Sequence, residues 1–135
     1  IKIGKGKIIK KGKKIAFLNL GTRLKQVFET SKLIKNQFEI DSTIVDMRFA
    51  KPIDKLLLKS LLKNHDILIT IEENAIGGFS SQVNNYLLNS IKKTPKISNF
   101  FMKDEFIDQS DINDQYLQSG ISPEIILKRV SKLLK

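Results

Sequence analysis

Lys14-Ile15-Ala16-Phe17-Leu18-Asn19-Leu20-Gly21-Thr22 is where the architecture of this chain is set. Ile15, Ala16, Phe17 and Leu18 are apolar on successive positions, with no polar alternation. Such a run suits a strand buried on both faces, as in a parallel sheet covered by helices above and below. Gly21-Thr22 supplies a tight turn and cap. Leu24, Val27, Phe28, Ile34 and Phe38 then recur at helical spacing to about residue 38.

The same alternation continues outward from this unit. Thr43, Ile44 and Val45 mark a β-branched strand over residues 42–48. Asp54 is placed to cap a helix reaching residue 64, with Leu57, Leu58, Leu61 and Leu62 as its buried stripe. Ile67, Leu68, Ile69 and Ile71 make a core strand over residues 66–72, and Gly77-Gly78 leads a helix that presents Phe79, Val83, Leu87 and Ile91 on one face. Thr94-Pro95 breaks the chain before a strand over residues 97–102. A loop over 103–112 and a short helix near 113–119, ending at Gly120, come next. Ser122-Pro123-Glu124 combines a cap, a proline at the first helical position and an early acid, opening a last helix with Leu127, Val130 and Leu134 inward.

Strands alternating with helices predict βαβ units with right-handed crossovers. The expected fold class is α/β: three αβα layers around a mostly parallel sheet of about five strands, with an antiparallel edge strand near the N-terminus. Residues 1–14 read as a linker arm carrying that edge strand, and residues 15–135 as the domain. The strand near Lys7–Lys10 is expected to turn at Lys11-Gly12 and pair with the strand that follows.

Composition removes much of the catalytic repertoire of small domains. With no cysteine, disulfides, thiolate–zinc sites and cysteine nucleophiles are excluded. One histidine, His65, excludes a two-histidine metal site within the chain. Apolar stretches of four residues cannot span a membrane. The net charge of +10 is concentrated in residues 1–14, which hold seven lysines and no acid. Elsewhere 17 basic residues face 14 acidic ones, and only Arg23, Arg48 and Arg129 are arginines. That distribution predicts no specific nucleic-acid partner, with only salt-sensitive incidental affinity. The chain begins at Ile1 without a signal-peptide pattern, and it is expected to be a piece of something larger.

Functional loops of an open parallel sheet gather at the carboxyl ends of its strands. Arg48, Glu72 and Glu73 stand there. Adjacent residues of a strand point to opposite sides, so Glu72 and Glu73 make a poor acid–base pair. Each is a strand-end carboxylate that binds hydrogen-bond donors or cations at home, or a contact to a neighbouring domain or ligand. Arg48 suits an interdomain salt bridge more than a substrate contact. Gly77-Gly78-Phe79 opens a helix, as a turn packed on the sheet or an approach for an anion. His65 reads as a cap on the carbonyls of the preceding helix. No catalytic, cofactor-binding or metal-ligating set emerges.

Ile3-Gly4-Lys5-Gly6-Lys7, Leu18-Asn19-Leu20-Gly21-Thr22 and Asp46-Met47-Arg48-Phe49-Ala50-Lys51-Pro52-Ile53-Asp54 stand in a familiar order. Asn64-His65-Asp66, Ile69-Thr70-Ile71-Glu72-Glu73, Ile76-Gly77-Gly78-Phe79, Phe106-Ile107-Asp108 and Asp114-Gln115-Tyr116 with Gly120 continue it. Together they resemble the carboxyl-terminal domain of the 1-deoxy-D-xylulose-5-phosphate synthase family, which is transketolase-like. The resemblance implies a thiamin-diphosphate- and Mg²⁺-dependent transferase that joins pyruvate to glyceraldehyde 3-phosphate with loss of CO₂, feeding isoprenoid, thiamin and pyridoxal biosynthesis. It implies a homodimer, in bacterial cytoplasm or plastid stroma. In that family the cofactor and Mg²⁺ are held by upstream domains through a Gly-Asp-Gly segment, which this chain lacks. The domain alone is therefore expected to bind no cofactor and to be inactive, its partners being those upstream domains. Arg48, Glu72, Glu73, Gly77, Gly78 and Phe79 are its expected interdomain contact. Gln109-Ser110 departs from the family's usual His-Gly, which argues against proton handling by that loop. A free-standing interaction subunit of the transketolase or 2-oxo acid dehydrogenase β-subunit type is the alternative.

Overall fold

A computed structural model describes residues 1–73, 78–101 and 121–135. Lys14–Leu20 forms the central strand β2, preceded by β1 (Lys7–Lys10) and followed by α1 (Leu24–Phe38), β3 (Thr43–Asp46) and α2 (Lys55–Leu61). Then come β4 (His65–Glu72), α3 (Phe79–Ser90), β5 (Lys96–Phe100) and α4 (Pro123–Leu133). The sheet order is β1-β3-β2-β4-β5; β1 runs antiparallel to β3 and every other pairing is parallel. Phe17 of β2 sits opposite Ile44 of β3 on one side and Ile69 of β4 on the other. The αβα class, with its antiparallel edge strand near the N-terminus, is as the sequence predicts.

The uninterrupted apolar run explains the layering. Ile15 and Phe17 join Ile67, Ile69 and Ile71 in a core packed under α1 and α4, with Val27, Ile34, Ile126 and Val130. Ala16, Leu18 and Leu68 face the other way, into a core with Leu58, Leu61, Phe79, Val83 and Leu87 of α2 and α3. Fully burying a side chain of this size contributes about 1.5–3 kcal/mol. Asp54 caps α2 by accepting the Leu57 N–H at 3.1 Å, and Ser122 caps α4 by accepting that of Ile125 at 3.3 Å. Some boundaries are shorter than the sequence suggests. β3 ends at Asp46 because the chain turns at Arg48 (φ +63°), and α2 ends at Leu61 rather than near residue 64. The loop, short helix and Gln109-Ser110 expected within residues 102–120 lie outside the described residues.

One expectation is overturned. β1 does not form a hairpin with β2; it skips over β3 and pairs with that strand's outer edge, Ile8 opposite Val45. Both edges of β2 are already occupied by β3 and β4, so among the described strands the open edge on that side belongs to β3. The connection at Lys11-Gly12-Lys13 crosses the start of β3, where the Gly12 N–H donates to Thr43 Oγ1 at 2.8 Å and the Lys13 N–H to Asp41 O at 2.8 Å.

Ion pairs fasten this crossing. Asp41 accepts from Lys35 Nζ at 2.8 Å and lies 3.8 Å from Lys10 Nζ. The Lys35 hydrogen bond, with the charges of Lys35 and Lys10, holds the Asp41 carboxyl below its ordinary range against the opposing effect of desolvation. A depressed folded-state pKa stabilises above the unfolded pKa and is lost as pH falls through the folded one. Asp41 is exposed, so the effect on stability is small. The Lys35→Ala variant is expected to raise the Asp41 midpoint towards an ordinary aspartate in a carboxyl-carbon NMR titration. An unmoved midpoint would assign the depression to something else. Among the described residues no helix is long and apolar enough to cross a membrane.

Candidate functional site

At the carboxyl end of the sheet, β2 feeds α1 in one layer while β4 feeds α3 in the other. A crevice at such a divergence is the usual ligand position in open α/β sheets. Here the end of β4 fills it with two adjacent carboxylates that do different work.

Glu72 shares the face of Leu68, beneath α3, and is fully buried. Its Oε2 accepts the Phe79 N–H at 2.6 Å; its Oε1 accepts the Ser80 N–H at 3.0 Å and the Ser80 hydroxyl at 2.8 Å. The cause is local. Gly78 occupies the N-cap position and has no side chain, and the first turn of α3 contains no acid. Glu72 supplies from seven residues upstream both the hydrogen-bond acceptor and the negative charge that a helix N-terminus favours.

Glu73 turns the opposite way, towards α1. It accepts a hydrogen bond from Thr22 Oγ1 and lies 3.6 Å from Arg23 Nε. The first turn of α1 also lacks an acid and a side-chain cap, so Glu73 offers the charge from outside the helix. Gly21 permits the preceding turn through its φ of +98°, which side-chain-bearing residues rarely adopt. Asn19, fully buried below, donates from Nδ2 to Gly21 O at 2.9 Å and holds the same turn.

Arg48 is placed separately, at the end of β3. Its N–H donates to Asp46 Oδ1 at 3.3 Å and its Nε lies 3.9 Å from Asp46 Oδ2, leaving the guanidinium partly exposed. Among the described residues no hydrogen bond or ion pair joins it to Glu72 or Glu73.

The structure thus brings Glu72, Gly78 and Phe79 together, sends Glu73 to a second cluster and keeps Arg48 in a third. Gly77 lies outside the described residues. Phe79 is buried with Glu72, so the accessible part of the set is Arg48, Glu73 and Gly78. Ser80, Thr22 and Arg23 are participants that sequence reasoning missed. Thr22 was legible as a helix-start residue, but nothing local links it to a glutamate 51 positions later. His65 is at the far end of the sheet and caps as expected: its Nδ1–H donates to Leu61 O at 2.6 Å, and Nε2 accepts from the Thr43 hydroxyl at 2.7 Å.

The donor set does not suit a metal-bound diphosphate. Among the described residues no three His, Asp or Glu side chains converge to hold a metal ion. Glu72 is saturated by α3, Asp54 by the N–H groups of Gly6 and Leu57 together with Lys5. What the arrangement does is fix two helix starts rigidly against one strand end.

Comparison with known proteins places the chain in a family. Residues 4–126 match the family described as transketolase, C-terminal domain. The chain is 35% identical, over 136 residues, to a probable 1-deoxy-D-xylulose-5-phosphate synthase 2, chloroplastic, of Oryza sativa subsp. japonica. That alignment covers 99% of this chain and 19% of the rice protein. Among solved structures, the inactive β4 tetramer of a split-gene transketolase aligns with a TM-score of 0.88 at 26% identity, over 99% of this chain and 43% of that one. A transketolase variant from Pichia stipitis shares the fold, with a TM-score of 0.67 at 15% identity, over 97% of this chain and 18% of that one. The chain therefore spans about a fifth of the rice relative and under half of the split-gene subunit. With the family match running through β1 to the start of α4, and the sheet order and layers in agreement, this chain belongs to the transketolase C-terminal domain family.

Proposed function

We propose that this domain belongs to a 1-deoxy-D-xylulose-5-phosphate synthase and serves interdomain and dimer packing. That enzyme is a thiamin-diphosphate- and Mg²⁺-dependent transferase joining pyruvate to glyceraldehyde 3-phosphate with loss of CO₂. The observation that carries the reading is the 35% identity extending over 99% of the chain. The residues present do not fit the cofactor, so no step of the reaction is assigned to them. When bound in the upstream domains, thiamin diphosphate supplies the carbanion chemistry. This domain supplies a rigid surface, and alone it is catalytically silent. The split-gene structure, described as an inactive β4 tetramer, supports that silence. Residues 1–14 form the arm leading from the preceding domain. The setting is bacterial cytoplasm or, as for the chloroplastic rice relative, a plastid.

Arg48, Glu73 and Gly78 form the contact surface. Glu72 and Phe79 act from beneath by fixing the start of α3. The guanidinium of Arg48 is weakly held by Asp46 and free to pair with a carboxylate of a neighbouring domain. Losing a contact of about 1 kcal/mol corresponds to about fivefold in an equilibrium. In the enzyme carrying all its domains, Arg48→Ala is expected to lower activity by about that factor and to lower the Tm by a few degrees. Unchanged activity together with unchanged thermal stability would sink this role for Arg48. The split-gene match also favours a second reading, a separate subunit of the same fold that docks on a catalytic partner.

A further inference from the structure

At the amino-terminal end of the sheet, remote from the loops above, β2, β4 and β5 border a cleft of about 570 Å³. That volume lies within the range of small-molecule sites. Its apolar lining includes Leu62 from the end of α2, Ile67 of β4 and Leu134 beyond α4. Lys14, Lys93 and Lys96 line it against a single acid, Asp66. Lys96 Nζ donates to Leu133 O at 2.7 Å, so this lysine is committed to the last turn of α4. Lys14 and Lys93 make no ion pair among the described residues. Lys14 is also fixed in an uncommon backbone conformation, φ +69°, by donation of its N–H to Asn64 O at 2.8 Å. His65 lines the cleft as well, but both its ring nitrogens are engaged elsewhere.

Two ammonium groups that no carboxylate engages among the described residues, beside an apolar lining, define a ligand chemistry. Exposed lysines alone hold inorganic anions weakly in water. Ile67 is already buried in the core, and an anion that also covers the partly exposed Leu62, Leu133 and Leu134 adds the hydrophobic contribution. We propose that this cleft binds a small amphipathic organic anion, its apolar body on those three leucine side chains and its charged group held by Lys14 and Lys93. The site is independent of the packing role proposed above, and either can fail without the other.

The probe is 8-anilinonaphthalene-1-sulfonate, followed by fluorescence with the intact protein, each variant first checked by thermal melting for native cooperativity. Saturable one-site binding is expected, weakened at least fivefold by Lys14→Gln/Lys93→Gln. Lys32→Gln/Lys128→Gln removes the same charge from exposed positions outside the cleft and is expected to leave binding unchanged. Should Lys14→Gln disturb folding, Lys93→Gln alone is expected to weaken binding at least twofold. Octanoate is expected to displace the probe where inorganic phosphate at equal concentration does not. Equal binding by the two double variants, no loss with Lys93→Gln, or displacement by phosphate as effective as by octanoate would overturn the proposal.

Discussion

Gly12→Ala is expected to lower the stability of this domain by about 3 kcal/mol, the upper part of the usual range for overpacking. A Cβ on Gly12 would fall onto the Asp41 carbonyl oxygen and lie 2.6 Å from the backbone carbons of Asp41 and Ser42. Those are main-chain atoms, so no rotamer change relieves the clash. The same residue donates its N–H to Thr43 Oγ1, whose hydroxyl serves His65. Moving the crossing therefore disturbs β1, β3 and the end of α2 together. For a chain of this length the Tm is expected to fall by about 10 °C. Lys11→Ala, at an exposed neighbouring position, is expected to change stability by no more than about 0.5 kcal/mol. A Gly12→Ala protein within about 1 kcal/mol of the parent in urea unfolding would show that the crossing can relax, contrary to the geometry described.

Glu72→Ala is expected to cost about 3 kcal/mol, for a different reason. It leaves two backbone N–H groups at the start of α3 and one buried hydroxyl without their acceptor. Hydrogen bonds to a charged group contribute about 1.5–3 kcal/mol each when measured singly, and a lost helix cap about 1 kcal/mol. The three share one carboxylate, so their contributions do not add. Glu72→Gln keeps one acceptor oxygen and is expected to lose about half as much. Glu73→Ala tests the contrast. Its carboxylate is 39% exposed, and its loss is expected to cost no more than about 1 kcal/mol. Amide exchange at Phe79 and Ser80 should accelerate in Glu72→Ala and not in Glu73→Ala. Equal destabilisation by the two alanine variants would refute the division of labour between these carboxylates.

Much of this was legible in the order of residues. The double-faced run at Ile15-Ala16-Phe17-Leu18 implied a covered parallel strand, and both cores are built on it. Asp54 and Ser122 announced two helix starts because a cap acts within three residues. Alternation along β4 placed Glu72 and Glu73 on opposite sides. Their partners were not readable, because Thr22 and Arg23 reach Glu73 only through the pairing of β2 with β4. The hairpin expected of β1 fails for a related reason. A short strand, a glycine and a second strand look like a hairpin locally, and competition for the edges of β2 is a property of the whole sheet. Gly12 serves a crossing there, where a turn was expected.

The central claim, that this domain packs within a larger synthase, is tested most directly by the size of the natural polypeptide that carries it. An antibody raised against residues 15–135 would be used on a denaturing gel of the source cells, and the captured protein assayed with pyruvate and glyceraldehyde 3-phosphate. A band several times heavier than 15.4 kDa that forms 1-deoxy-D-xylulose 5-phosphate is the predicted result. A band near 15.4 kDa would contradict it and leave a separate docking subunit in its place.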